Sequence, residues 1–322
     1  MKSTKKLFAI ALAGIAFGAA AQNYPSRPVT LVVPYPPGGS SDAIARIIGT
    51  SMGLTLKQPI IIENDPGAGG TVGTAKVARS PNDGYWLLLH NVGMAVSPTL
   101  YRRLPYKNED LVPIGAVATV PSILVARRDL PAKNLEELLA FIKKNPSNVN
   151  FGHSGVGSAA HLCGLLFQSS IKSRLTTIAY KGGAPALNDL MGGQFDFMCE
   201  QATLLLPYIQ SGKVKAIAVA DKKRIPQLPN LPSTDESGLP GVEAGVWHGI
   251  YAPRGTPKEV IDKVSAALEV ALRDKDVQKR LTDIAAEVSP PQDATPAALA
   301  RIQQSDTEKL VPILKATSEY AD

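Results

Sequence analysis

Three stretches of this 322-residue chain place glycine-rich backbone directly ahead of a helical pattern. They are Pro36-Pro-Gly-Gly-Ser-Ser-Asp42, Asp65-Pro-Gly-Ala-Gly-Gly-Thr71 and Gly152-His-Ser-Gly-Val-Gly-Ser158. The first amides of a helix have no partner within it and sit at the positive end of the helix dipole. Glycine lets a ligand oxygen approach that backbone without meeting a Cβ. The hydroxyls of Ser40, Ser41, Thr71, Ser154 and Ser158 add donors. The chemistry on offer is retention of an anion without a cationic side chain. Any one loop reads equally as an ordinary strand-to-helix turn with Ser or Asp as a cap; three of them point to a cleft.

Other polar residues modify that reading. Asp42 most simply caps the helix that starts near Ala43, and its alternative role is to meet a ligand ammonium. Glu200 and Gln201 follow an apolar strand pattern and should reach the same cleft. A carboxylate facing an anion site is costly unless the ligand also brings a positive group, so Glu200 hints at an amino acid, or is otherwise solvated or internally paired. Lys181 is a further candidate, with simple exposure as its alternative. Catalytic motifs fail: Val72 stands where a dinucleotide fingerprint needs its third glycine. Val156 spoils a nucleophile elbow around Ser154. The four histidines, 90, 153, 161 and 248, show no metal-ligand spacing. No enzyme activity, metal or cofactor is expected.

The elements that must position these loops alternate in type. Strand patterns fall at Val29–Val33, 60–62, 85–90, 149–152, 176–180, 195–199, Val214–Val219 and 246–252. Helical patterns fall between them, at 41–54, from Thr71, and at 135–143, 159–169, 184–191 and 204–210. Asn134 with Glu137 reads as a capping box. Pro257 opens a helix through Arg273, and helices at 275–284 and 295–317 close the chain. This alternation predicts an α/β fold with parallel, helix-covered sheets, whose ligands collect at the carboxyl ends of strands. Extended segments near Pro121–Arg127 and 245–253 predict two lobes crossed twice by the chain.

Lys2, Lys5 and Lys6, the apolar run Leu7 to Phe17, and Ala19-Ala20-Ala21 have the form of a cleavable export signal over residues 1–21. The alternative, a retained anchor, is disfavoured because the apolar stretch is shorter than the ~20 residues of a spanning helix. The mature chain would start at Gln22, with 322 − 21 = 301 residues. The net charge of +6, from 34 basic and 28 acidic residues, loses three lysines with the signal and becomes 6 − 3 = +3. That mild excess, without basic blocks, gives no indication of nucleic acid and suits an anionic ligand. Cys163 and Cys199 would be bridged in an oxidising compartment, with two buried thiols as the alternative.

Several segments together resemble one family. They are Tyr24-Pro-Ser-Arg-Pro28, Val33-Pro-Tyr-Pro-Pro-Gly-Gly39 with Asp42, Glu63-Asn64, Gly67–Thr71, Tyr180-Lys-Gly-Gly-Ala-Pro-Ala-Leu-Asn-Asp-Leu-Met-Gly-Gly193, Leu228-Pro-Asn-Leu-Pro232 and Gly249-Ile-Tyr-Ala-Pro-Arg-Gly-Thr-Pro257. In order and over almost the whole chain, they look like the Bug-type periplasmic solute receptors of tripartite tricarboxylate transporters. The resemblance implies a two-lobed, type II periplasmic-binding-protein fold hinged on two crossing strands. Residues 22–122 plus 250–322 would form the first lobe and 123–249 the second. It implies a monomer that captures a small organic carboxylate and delivers it to membrane permease subunits. The same capture would also serve a sensor adaptor facing a two-component kinase. Ligand contacts are expected from Tyr35, Pro37, Gly38, Gly39, Ser40, Ser41, Asp42, Gly70 and Asn91, and across the cleft from His153, Ser154, Gly157, Ser158, Glu200 and Gln201. The contexts of Cys163 and Cys199 look like the branch with aspartate-type receptors. Members of that branch often carry Asp at the place of Glu200 and Thr-Thr at the place of Ala202-Thr203, which leaves the ligand open.

Overall fold

The structure is a computed structural model that describes residues 24–145 and 148–317. The export-signal pattern lies outside those residues. No described helix is long and apolar enough to cross a membrane.

The first half of the chain runs β1 (Val29–Val33), α1 (Ser40–Leu56), β2 (Ile60–Asn64), α2 (Thr71–Ala78), β3 (Trp86–Asn91), α3 (Gly93–Leu100) and β4 (Leu111–Val120). Then come β5 (Ser122–Arg127), α4 (Leu135–Lys144), β6 (Asn150–His153), α5 (Ala159–Ile171), β7 (Thr176–Ala179), α6 (Gly183–Met191), β8 (Phe197–Gln201), α7 (Ala202–Gln210) and β9 (Val214–Val219). The chain closes with β10 (Val246–Pro253), α8 (Lys258–Arg273), α9 (Lys275–Asp283), β11 (Glu287–Val288) and α10 (Pro296–Thr317). Two separate sheets result, of order β11-β4-β10-β3-β1-β2 and β7-β6-β8-β5-β9. The protein is a two-lobed α/β structure.

Parallel pairing holds for β1 with β2 and β3, and for β6 with β7 and β8. The strands at the crossings differ from the all-parallel expectation. β10 is antiparallel to β3 and β4, and β5 is antiparallel to β8 and β9. Only Pro121 separates β4 from β5, so the chain changes sheet within a single residue and with no helix between them. β4 escapes a sequence reading because Pro113 and Gly115 interrupt its apolar run. Pro113 is tolerated at a register shift of the β4–β10 ladder, where one strand carries an extra residue.

Packing follows the helical period. α8 buries Val260, Val264, Ala267, Leu268, Ala271 and Leu272, one stripe at intervals of three and four, against the buried Ile44, Ile48 and Met52 side of α1. α4 is capped as its sequence predicts at one end of the box: Asn134 Oδ1 accepts from the Glu137 amide at 2.9 Å. The Glu137 carboxylate reaches back to the Lys133 amide, one residue earlier than a standard box. The two crossing segments touch, with Ser122 Oγ donating to the Ala244 carbonyl at 2.7 Å.

Cys163 of α5 and Cys199 of β8 are joined by a disulfide, their Cα atoms 6.0 Å apart. It pins a helix to the centre of the second sheet and closes a loop of sequence separation 36. Replacing both by serine should lower the unfolding free energy by about 4 kcal/mol on the chain-entropy model. Urea titration of the variant against the parent protein measures this; an unchanged midpoint would show the bridge to be thermodynamically idle.

Candidate functional site

The carboxyl ends of β1, β3, β6 and β8 bring loops of both lobes around one tight cavity of about 40 Å³. The first lobe contributes Tyr35, Pro36, Gly39, Ser40, Ser41 and Asn91. The second contributes Ser154, Ser158, Ala159, Ala160, Gly183, Ala184, Glu200, Gln201 and Leu204. Most of these residues are helix beginnings. Gly39 is the N-cap of α1, with Ser40 and Ser41 as its first two residues. Ser158 caps α5, followed by Ala159 and Ala160. Gly183 and Ala184 open α6 behind Gly182, and Gln201 precedes α7. Four positive helix ends therefore converge on one space, and no side chain caps α1, α6 or α7.

Among the described residues lining the cavity there is no lysine, arginine or histidine. The nearby histidines supply no charge either. Burial holds the pKa of His90 down to about 4 and that of His248 down to about 3, so both are neutral. His248 is instead structural, its Nε2 lying 3.1 Å from Ser41 Oγ. Asn91 orients the tyrosine at the cavity wall: Tyr35 Oη donates to Asn91 Oδ1 at 3.0 Å, and the same oxygen accepts from the Gly93 amide at 3.0 Å.

Glu200 is the single ionisable acid lining the cavity, and it is buried. Its carboxylate accepts from Ser154 Oγ and, at 2.9 Å, from the Gln201 amide. Burial pushes its pKa up, and these hydrogen bonds only partly oppose the shift. Two further buried polar atoms, Ser40 Oγ and Gln201 Oε1, have no protein partner among the described residues. The cavity thus offers helix amides and hydroxyls as donors beside the acceptor oxygens of Glu200 and Gln201, with Gly183 at the head of α6 lying against the Glu200 carboxylate.

Six of the residues expected at the ligand do not line this cavity. Asp42 sits in the first turn of α1 with its carboxylate turned to its own helix. It accepts from the Gly38 amide at 2.9 Å and from Arg46 Nε at 3.0 Å. Burial works to raise its pKa, but Arg46, the Gly38 amide and Asn64 outweigh burial and hold the carboxyl below its ordinary value. Pro37 and Gly38 are exposed on the turn before α1. Gly70 lies behind the wall, where a Cβ would come within 3.1 Å of both Tyr35 Oη and His90 Nε2. The loop at the head of α2 is therefore packing, not lining. His153 stacks with its ring centroid 4.6 Å from that of His161, and Gly157 donates its amide to His161 Nδ1. Lys181 is exposed outside the lining. The head of α6 adds Gly183 and Ala184 to the residues expected from the sequence, whereas α7 enters through the expected Gln201. The signal for α6 was present in Lys181-Gly-Gly-Ala184, another glycine pair ahead of a helix.

A two-lobed α/β protein with helix heads facing each other across an interlobe cavity is a periplasmic-binding-protein fold. The chain belongs to the tripartite tricarboxylate transporter family receptors, whose family model, TctC, matches residues 44–318. It is similar to the periplasmic binding protein BugD, at 43% identity and a TM-score of 0.89, covering 93% of this chain and 100% of that one. It is also similar to MatC from Rhodopseudomonas palustris, solved with bound malate, at 37% identity and a TM-score of 0.86, covering 90% and 100% of the two chains. A second R. palustris protein, solved with adipate, matches at 30% identity and a TM-score of 0.86, covering 91% and 98%. The chain is a Bug-type solute-binding receptor and not an enzyme.

The raised pKa of Glu200 has a consequence for stability. Between the ordinary carboxylate value and the raised one, the folded chain keeps a proton that the unfolded chain has lost. Folded stability therefore falls as pH rises through that interval. Glu200→Gln removes this titration. Its melting temperature is expected to match the parent's near about pH 4, at the unperturbed carboxylate value, and to exceed it increasingly toward neutrality. A constant difference across the series would contradict the assignment.

Proposed function

We propose that this receptor captures a C4–C5 dicarboxylate or an acidic amino acid such as aspartate and delivers it to the permease subunits of a tripartite tricarboxylate transporter. Export to the periplasm by the cleavable segment 1–21 belongs to the same reading, as does action as a monomer. The observation that carries it is the cavity of four convergent helix heads, devoid of cationic side chains but holding one buried carboxyl group. Ser40, Ser41, Ser158 and the amides of Gly183 and Ala184 take a ligand carboxylate, with Tyr35, Asn91 and Ser154 shaping the wall. Gln201 Oε1 and Glu200 accept from a donor on the ligand, a hydroxyl or an ammonium. The malate and adipate seen in two relatives support a small dicarboxylate in this space. We divide the lobes at Pro121 and ahead of Val246, where each strand joins a single sheet. These points lie a few residues from the 123 and 249 read from sequence.

Purified protein should be screened by thermal shift with succinate, malate, aspartate and glutamate. A ligand present at a hundredfold excess over Kd stabilises the fold by about 2.7 kcal/mol. No response to any of the four would remove the reading. If the ligand carries an ammonium, Glu200→Gln should weaken aspartate roughly ten- to hundredfold by calorimetry, the range of a charge-assisted hydrogen bond. Succinate should change little. Equal losses for both would mean that Glu200 shapes the cavity without choosing the ligand.

A further inference from the structure

Besides the packing of α10 on α5 and a bond from Gln227 Nε2 to the Thr282 carbonyl, the lobes meet outside the cavity at two glycine seams. At the first, Tyr101, just past the end of α3, donates its hydroxyl to the Val156 carbonyl at 2.8 Å. Val156 lies in the loop that carries Ser154 and Ser158, in the other lobe. The backbone of Gly69 presses on the same carbonyl, so close that a Cβ there would fall 2.1 Å from Val156 O and 2.7 Å from Tyr101 Oη. Gly157 packs against the tyrosine ring, where a Cβ would lie 3.2 Å from Cε2. At the second seam Gly182 meets Pro36, with a Cβ at Gly182 only 2.5 Å from the ring. Glycine on one side of each seam lets backbone of one lobe lie directly on the other. Only the first seam adds a directional bond, made by a side chain that does not line the cavity.

We propose that Tyr101 is a positioning residue that latches the two lobes shut across the cleft and so sets how long the solute is held. The inference rests on the receptor reading above. Rotation about the segments at Pro121 and Gly245 would part Tyr101 from Val156, because the two lie on different sheets' loops. The hydroxyl therefore favours the closed form over any opened one, whatever solute lies inside. It also fixes the backbone between Ser154 and Ser158, which face that solute.

Nitroxide labels on the exposed positions of Thr50→Cys and Asn188→Cys, one in each lobe, report lobe separation by pulsed dipolar spectroscopy; the native cysteines are already joined. Measurements on the full chain, without additive and with saturating L-malate or L-aspartate, compare the parent with Tyr101→Phe. The open-to-closed ratio is expected to rise about two- to tenfold in Tyr101→Phe, the effect of one net hydrogen bond. The dissociation rate of whichever acid binds should rise with it. Gly69→Ala, which puts a methyl against Val156, should open the lobes further. Equal ratios in parent and Tyr101→Phe would overturn the latch while leaving the receptor reading intact. A parent that never populates a short distance under any condition would overturn it too. A parent that closes but responds to neither acid would count against the dicarboxylate reading alone, with the Tyr101→Phe ratio still deciding the latch.

Discussion

The structure depends on one constraint: helix amides from two lobes must meet at a single cavity that no fixed positive side chain lines among the described residues. The first amides of a helix are donors that the helix itself cannot use, and the aligned peptide dipoles add a positive potential in the last turn before solvent. One such end contributes about 0.3–1 kcal/mol toward a charged group at the surface, and up to about 2 kcal/mol where partly buried. Four ends aimed at one space, from α1, α5, α6 and α7, can do together what an arginine does elsewhere. Their donors are rigid, which suits a receptor that must release its cargo after holding it. An arginine would add a long-lived ion pair and a flexible side chain to order.

Placing Glu200 among these positive ends would be self-defeating were it not buried and hydrogen-bonded. The carboxyl touches the Ser154 hydroxyl and its neighbour's amide, and burial favours its neutral form. Nearby His90 and His248 are likewise held neutral by burial. The site is thus a set of dipoles and hydroxyls with one buried carboxyl group among them. Asp42, which by position in the chain belongs to the same loop, is diverted to stiffen the turn that presents Ser40 and Ser41. Its ion pair with Arg46 is half exposed, so its value lies in fixing the Gly38 amide more than in net charge energy.

The cavity exists only where loops of two sheets meet, so its geometry depends on the passages between sheets. Antiparallel β5 and β10 form those passages, each paired on both edges in its own sheet, and Ser122 ties the two passages together. α10 adds a long apolar contact alongside, burying Leu310 and Leu314 near α5 of the second lobe while Trp247 of β10 donates to its Asp306 at 2.7 Å. Glycines at the seams permit backbone-to-backbone contact that any side chain would prevent.

Sequence alone determined the alternation of strand and helix, the capping of α4, the glycine-hydroxyl loops at 36–42 and 152–158, and the resemblance that covers the chain. These are local properties, set by periodicity, by caps and by the backbone freedom of glycine. It could not show which of three similar loops line the cavity. The loop at 65–71 is as rich in glycine as the other two, yet Gly70 packs behind Tyr35 and Gly69 against Val156, because strand order in the first sheet carries the loop to the edge beyond β1. Nor could it show that β5 and β10 run antiparallel, or that α6 adds its head to the cavity. Those outcomes belong to long-range pairing: a strand's neighbour and a helix's aim follow from which sheet the chain joins after each crossing, and no local residue pattern encodes that choice.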